Sequence, residues 1–351
     1  MLMRRFEIGL AIMDMPGMLP PLTLSRLAGT WSAAPVTDVI VVLLAVLYLS
    51  RAHVRRPADA ARWPVGRTVA FLASLVVAVV TIQSGIDGYG HELFYLHMCE
   101  HLLLIMVVPV LFVLGQPLRL LQEGSDRVAR HSRAWLDGRT VAVLTFPMLG
   151  IAVYAAVLVG THLTGFMQSM LLDMRLHDLE IVLYLVGGYL YLMPLMGHEP
   201  LRRELSYPLR LFMLFLGMMA DTIVGVVLML TAREPFPAYA AQGRTWGPGL
   251  LDDIHTGGGI MWVAGDGLMF VIIVLVISQW MADTERQNDT GKWLEAARRS
   301  ALASQGVDAV DPDDERSIDD DDAALAAYNR MLSRLHAAET PHATETPKDA
   351  R

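Results

Sequence analysis

The chain reads as an all-α polytopic membrane protein, a seven-transmembrane-helix bundle with its N-terminus outside and its C-terminus cytoplasmic. Three observations predict this fold class. Of 351 residues, 54% are hydrophobic and only 18% are charged, and the mean hydropathy is +0.41, values foreign to an ordinary soluble domain. Seven apolar stretches reach or approach the roughly 20 helical residues that cross a hydrocarbon core. Arginine concentrates in alternate loops, which sets the orientation.

Residues 1–33 form an outside or interfacial segment. Asp14 and Pro16 interrupt its apolar run, so it is a poor signal peptide, although Arg4 and Arg5 then lie at the exported end. The membrane domain, 34–281, holds spans expected at Ala34 to Ser50, Thr68 to Ser84, Leu93 to Leu114, Val141 to Gly160, Leu179 to Leu195, Leu209 to Leu230 and Gly259 to Met281. Short connections make consecutive helices antiparallel neighbours. The loop after the first span carries Arg51, Arg55, Arg56, Arg62 and Arg67, and the loop after the third carries Arg119, Arg127, Arg130, Arg133 and Arg139. With Arg202, Arg203 and Arg210 after the fifth, these loops face the cytoplasm. The opposite loops hold mostly acids: Asp87 and Glu92, Asp173 against Arg175, then Asp252 and Asp253. Residues 282–351 form a cytoplasmic acidic tail. Its linker DAVDPDDERSIDDDD is too charged to pack, and a short amphipathic helix follows, with Leu325, Tyr328, Met331, Leu332 and Leu335 on one side.

This orientation gathers histidines at one depth. His97 opens the third span, His162 closes the fourth, His177 precedes the fifth and His255 precedes the seventh. His97 and His101 are one helical turn apart, on one side of their helix and about 6 Å apart along its axis. Ionisable side chains are costly at such depth and seldom idle, so this pair is the leading candidate for metal ligation. Glu100 and Glu180 are candidates to orient the ligating rings. His91 and His198 are read as ordinary hydrogen-bonded or hydrated histidines, and His336 and His342 as surface residues. His255, like Asp253, is kept in the polar surroundings of the site.

Sulfur narrows the metal. There are 21 methionines, and Met167, Met170 and Met174 recur around His162 and His177. Thioether with imidazole suits copper as Cu(I), whereas methionine as filler between helices is the competing explanation. A lone cysteine, Cys99, excludes an intrachain disulfide and a CxxC shuttle. It points away from His97 and reads as a packing residue.

RWPVGRTVAFLASLVVAVVTIQSGIDGYG followed by HMCEHLLLIMVVPVLFVLGQPLRLL, then HDLEIVLYLVGGYLYLMPLMG and EPFPAYAAQGRTWGPGLLDDIHTGGGIMWVAGD, resemble in order and spacing the multi-spanning CtaG-type cytochrome c oxidase assembly factors. The resemblance runs from Trp63 to Arg286, and DDAALAAYNRMLSRL is similar too. It implies a non-enzymatic factor of a bacterial-type plasma membrane that helps copper reach a haem-copper oxidase on the outer side. Oxidase subunits and the lipid bilayer are then its partners, nucleic acid is not, and a homo-oligomer is left open. By motif position the resemblance makes His97, His101, His162 and His177 the intramembrane ligands. Ile181 stands where a further family histidine is common, and Thr161 where a tryptophan is usual.

Two other features need a reading. His97-Met98-Cys99-Glu100-His101 formally matches the inverted zinc-peptidase pattern H-x-x-E-H, with no other peptidase element. Asp221 lies near the middle of the sixth span and is expected to be protonated, bonded across the bundle or part of a polar pathway, with Asp266 as a candidate partner. The alternative reading of the whole is a haem-binding redox protein with bis-histidine ligation. A third is a scaffold for oxidase subunits without metal.

Overall fold

The computed structural model describes residues 19–54, 62–123, 126–197, 199–202, 204–303, 318–320 and 322–339. His198, Arg55, Arg56, Arg203, residues 308–317 and 321 of the acidic linker and the N-terminal arginines lie outside the described residues; Ile318, in the part of the linker expected not to pack, is buried. Among the described residues there are helices and no strands beyond an isolated bridge between Trp31 and Ser84. The apolar helices, numbered in chain order, are α1 (Pro35–Leu49), α2 (Val65–Gln83), α3 (Phe94–Leu102 with its continuation to Leu114), α4 (Pro147–His162), α5 (Met174–Met196), α6 (Tyr207–Met229) and α7 (Leu250–Ala303). Six of them are long and apolar enough to cross a membrane, and α4 is the shorter exception.

The expected fourth span therefore needs correction at its start. Val141 belongs to a separate helix, Arg139–Leu144, which ends where the Thr145 hydroxyl donates to the Val141 carbonyl. Pro147 then opens α4 as its first residue, a position where its missing N–H costs nothing. The remaining 16 residues are about 24 Å of helix.

Proline also shapes α3. Between Leu102 and Val108 the helix widens into a π-turn, Leu103–Val107, and Pro109 follows it. The ring at Pro109 would strike the carbonyl four residues earlier, and the wider turn relieves that clash. The same turn is where α5 comes closest: a Cβ on Gly188 would collide with the Ile105 carbonyl, so only glycine admits this approach. Gly197, at φ +66, ends α5 in the left-handed region.

Two compact units divide the chain, Met1–Val276 and Ile277–Arg351. In the first, α4 packs along α5 and α6, and the far end of α3 packs against α2 and α5. Its core is apolar and rich in methionine and tyrosine, including Met98, Met167, Met170, Tyr154, Tyr184 and Tyr191. A smaller cluster closes the other end, where Trp63 donates to the Tyr48 hydroxyl at 2.9 Å and Tyr48 donates to the Gly115 carbonyl at 2.7 Å. On α1, Val36, Val39, Ile40, Val42, Leu43, Val46 and Leu47 are each more than half exposed, an apolar surface suited to lipid. Residues 19–22 of the N-terminal segment lie on the loops beside the site. Tyr89 donates to the Pro20 carbonyl at 3.0 Å and Trp246 to that of Leu19 at 2.9 Å.

In the second unit the expected amphipathic helix forms as α8 (Asp322–Glu339). Ala324, Ala327 and Met331 bury against Leu302 and Ile318, with Leu325 and Tyr328 partly covered. Leu332 departs from expectation and is exposed, because the buried stripe is centred one residue earlier.

Candidate metal centre

The N-terminal turn of α3 is fixed from another helix. Both Asp253 carboxylate oxygens accept backbone N–H groups, from Phe94 at 3.1 Å and Tyr95 at 3.0 Å, and Arg244 pairs with the same carboxylate at 3.0 Å. A carboxylate at a helix start satisfies orphan donors and complements the helix dipole. Asp253 thus positions the helix that carries His97 and His101 and holds no place among the donors.

His97 and His101 are buried, 1% and 3% exposed, and their ring centroids are 4.0 Å apart. His97 has a carboxylate facing each nitrogen: Nδ1 lies 3.6 Å from Glu100 Oε2, and Nε2 lies 3.5 Å from Glu180 Oε2. His101 Nε2 lies 3.5 Å from the other Glu180 oxygen. His177 Nε2 lies 3.7 Å from Glu100 Oε1 and 3.7 Å from Asp87 Oδ1. Among the described residues three groups of potential ligand atoms result: His97, His101 and Glu180; His97, Glu100 and His177; and Asp87, His91 and His177. Glu100 and Glu180, expected as orienting residues, stand among the donors themselves.

The donors have almost no hydrogen bonds. Both nitrogens of His97, both oxygens of Glu100 and of Glu180, His101 Nε2 and His91 Nε2 are buried without a hydrogen-bond partner among the described residues. Each such atom costs about 1–3 kcal/mol when left bare. For these eight atoms the sum rivals the 5–15 kcal/mol that holds a typical fold together. A metal ion bound there would remove the conflict. Ligand atoms about 2.0–2.2 Å from a tetrahedral ion are about 3.3–3.6 Å from one another, close to the separations observed.

His162 plays a different part from the one expected. Its Nδ1 lies 3.0 Å from the Leu158 carbonyl, which can only accept, so that nitrogen carries the proton. Its Nε2 is then a lone pair, 3.1 Å from His101 Nδ1, which donates to it. The remaining nitrogen of His101, Nε2, is left as a bare lone pair aimed at Glu180. Hydrogen bonds of this kind fix a ligating imidazole's tautomer and ring plane. Tyr184 stacks on His101 at 4.1 Å and bonds Thr161 at 2.7 Å, holding the same ring from its face.

The other predicted residues divide. Met167 and Met170 are buried in the apolar core. Met174 is 64% exposed, because it begins α5 on the side away from the core, and it does not share the enclosure of the histidines. His255 bonds the Thr231 carbonyl at 2.8 Å and ties α7 to the end of α6. Asp221 accepts from Tyr154 at 2.8 Å, whereas Asp266 accepts from Thr222 at 2.9 Å, so the two acids have separate partners. Cys99 is in none of the three donor groups.

Asp87 and His91, which form one of these groups with His177, were not among the expected ligands. The signal was present: they are four residues apart, and His91 precedes His97 by six. Outside the spans, burial and the nearby Glu100 charge push the Asp87 carboxyl well above its usual range. Burial lowers His91 to about 4, leaving it as the neutral imidazole that binds metals.

A helical chain with six helices long and apolar enough to cross a membrane, and with buried histidines and carboxylates gathered at one end of the bundle, has the build of a polytopic membrane protein. Residues 43–283 match the family described as cytochrome c oxidase caa3 assembly factor. The chain belongs to that family. It is 29% identical over 327 residues to uncharacterized proteins of Mycobacterium bovis and Mycobacterium tuberculosis, covering 90% of this chain and 46% of each relative. A Mycobacterium leprae protein is 29% identical over 325 residues with the same coverage. The chain therefore spans about half the length of these curated relatives. No solved structure matches it.

Proposed function

We propose that this protein is a membrane-resident assembly factor that binds copper in its histidine and carboxylate centre and passes it to a cytochrome c oxidase under construction. The carrying observation is the set of eight buried donor atoms without hydrogen bonds, gathered at separations suited to shared coordination. The family supports the oxidase as client. Copper is cargo here, and no catalysed bond change is invoked.

Nitrogen and oxygen donors suit Cu(II) and Zn(II), while Cu(I) favours the thioethers that suggested it. Cu(II) is accordingly the state we assign to the histidine and carboxylate sets. Haem held between histidines of two helices is disfavoured: the Glu100 carboxylate lies between His97 and His177, 3.6 and 3.7 Å from their ring nitrogens, where a macrocycle would need to lie, and the facing nitrogens of His101 and His162 are 3.1 Å apart, too close to admit an iron between them.

The orientation we propose counts α4 as a seventh span and places the loop after α2 outside and the arginine-rich loops in the cytoplasm of a bacterial plasma membrane. In that frame the centre opens to the outer face. The test compares strains carrying the wild-type protein or a His97→Ala, His101→Ala double variant. The double variant is expected to leave membrane oxidase poor in copper and low in activity. Normal oxidase copper in that strain would refute the reading.

A further inference from the structure

The three donor groups form a chain, and consecutive members share a histidine. Asp87, His91 and His177 come first; His177 then joins Glu100 and His97; His97 finally joins Glu180 and His101. Exposure sets the first group apart from the other two. The side chains of His91 and Asp87 are 25% and 11% exposed, whereas those of His97, Glu100, His101, Glu180 and His177 are between 1% and 4%. His91 and His177 rings lie 4.6 Å apart, and His97 and His177 rings 6.2 Å apart.

We propose that Asp87, His91 and His177 form an entry site for a divalent copper ion, which moves inward by ligand exchange through the shared imidazoles of His177 and His97. The inference rests on the copper reading above and adds to it a route and a direction.

The chemistry follows from the sharing. An ion held by the outer group keeps His177 while it exchanges Asp87 and His91 for Glu100 and His97. The second exchange crosses the His97 ring: the bond to Nδ1, which faces Glu100, breaks as one to Nε2, which faces Glu180, forms, and His177 and Glu100 give way to Glu180 and His101. At no stage is the ion bare in an apolar interior, where desolvation would be prohibitive. Each step exchanges ligands without a change of oxidation state. Two carboxylates, Glu100 and Glu180, offset the charge of the ion on the way. The outer group is held by the protein rather than by loop packing alone: Gln242 donates to the His91 carbonyl and Tyr239 to that of Gly90 at 2.9 Å.

The test uses the full chain in detergent, loaded with Cu(II) alone and followed by stopped-flow absorption and rapid-freeze electron paramagnetic resonance. His91→Ala removes one entry ligand, and His91→Gln serves as a second variant should the first misfold. Uptake and chelator-driven release are both expected to slow by about 10- to 100-fold, the range seen when one member of a metal site's supporting set is lost. A short-lived early copper signal present in wild type is expected to vanish. If wild type loads copper but both variants load and release at its rate, the entry route is overturned and the copper centre stands. If wild type takes up no copper, the function proposed above fails and this inference fails with it.

Discussion

Replacing His162 by alanine separates an orienting histidine from a ligating one. In the structure His162 accepts from His101 Nδ1 at 3.1 Å and is itself held by the Leu158 carbonyl at 3.0 Å. His162→Ala strands a buried N–H on His101, at a cost of about 1–3 kcal/mol in stability. It also frees the His101 ring to turn and to exchange tautomers. Loss of such a partner weakens metal affinity by about 10- to 100-fold, or roughly 1.4–2.7 kcal/mol. The number of ions bound and the count of imidazole nitrogens around copper should not change. Isothermal titration with Cu(II) measures the affinity, and electron spin-echo spectroscopy counts the nitrogens. Loss of one coordinated imidazole in His162→Ala, with stoichiometry reduced, would refute the orienting role and restore His162 as a ligand.

Three further predictions follow from particular contacts. Gly188→Ala drives a methyl group into the Ile105 carbonyl, and thermal unfolding in detergent should show a loss of about 1–3 kcal/mol or more. Asp253→Ala leaves Arg244 buried and unpaired, a loss of about 3–5 kcal/mol, and the Asp253→Ala, Arg244→Ala double variant should recover part of it. Glu199, outside the spans, accepts from Leu118 N–H at 3.2 Å and Arg119 N–H at 2.8 Å, yet burial pushes its carboxyl up to about 7. The folded state then binds the extra proton between the ordinary carboxylate range and pH 7. Stability should therefore fall by about 3 kcal/mol as pH rises through that window and level off above it. Glu199→Gln should remove this slope, and an unchanged pH profile would contradict it.

Much of the helical architecture was legible because apolar composition and span length are strong signals. The misplaced start of the fourth span shows their limit. Ala142, Val143 and Leu144 are as apolar as the helix that follows, so hydropathy runs on through Phe146, while Pro147 alone marks the new start. For the site, the turn-apart spacing of His97 and His101 and the shared depth of His177 anticipated three buried imidazoles lying near one another, with His97 ring centroids 4.0 Å from His101 and 6.2 Å from His177. The role of His162 was not legible, since it depends on which ring nitrogen meets the Leu158 carbonyl. Glu100 and Glu180, expected to orient the rings, have oxygens close enough to the ring nitrogens to count as potential ligand atoms, because sequence gives depth and not the direction of a carboxylate. Met174 shows the converse: it is near the histidines in sequence, yet its position at the start of α5 turns it outward.

The most direct measurement is the copper content of the purified full chain beside that of its His97→Ala, His101→Ala double variant, by elemental analysis after loading and gel filtration. Retention of stoichiometric copper by wild type and its loss from the folded double variant is the result expected. Equal copper in the two proteins, or none in wild type, would contradict a centre built on these imidazoles.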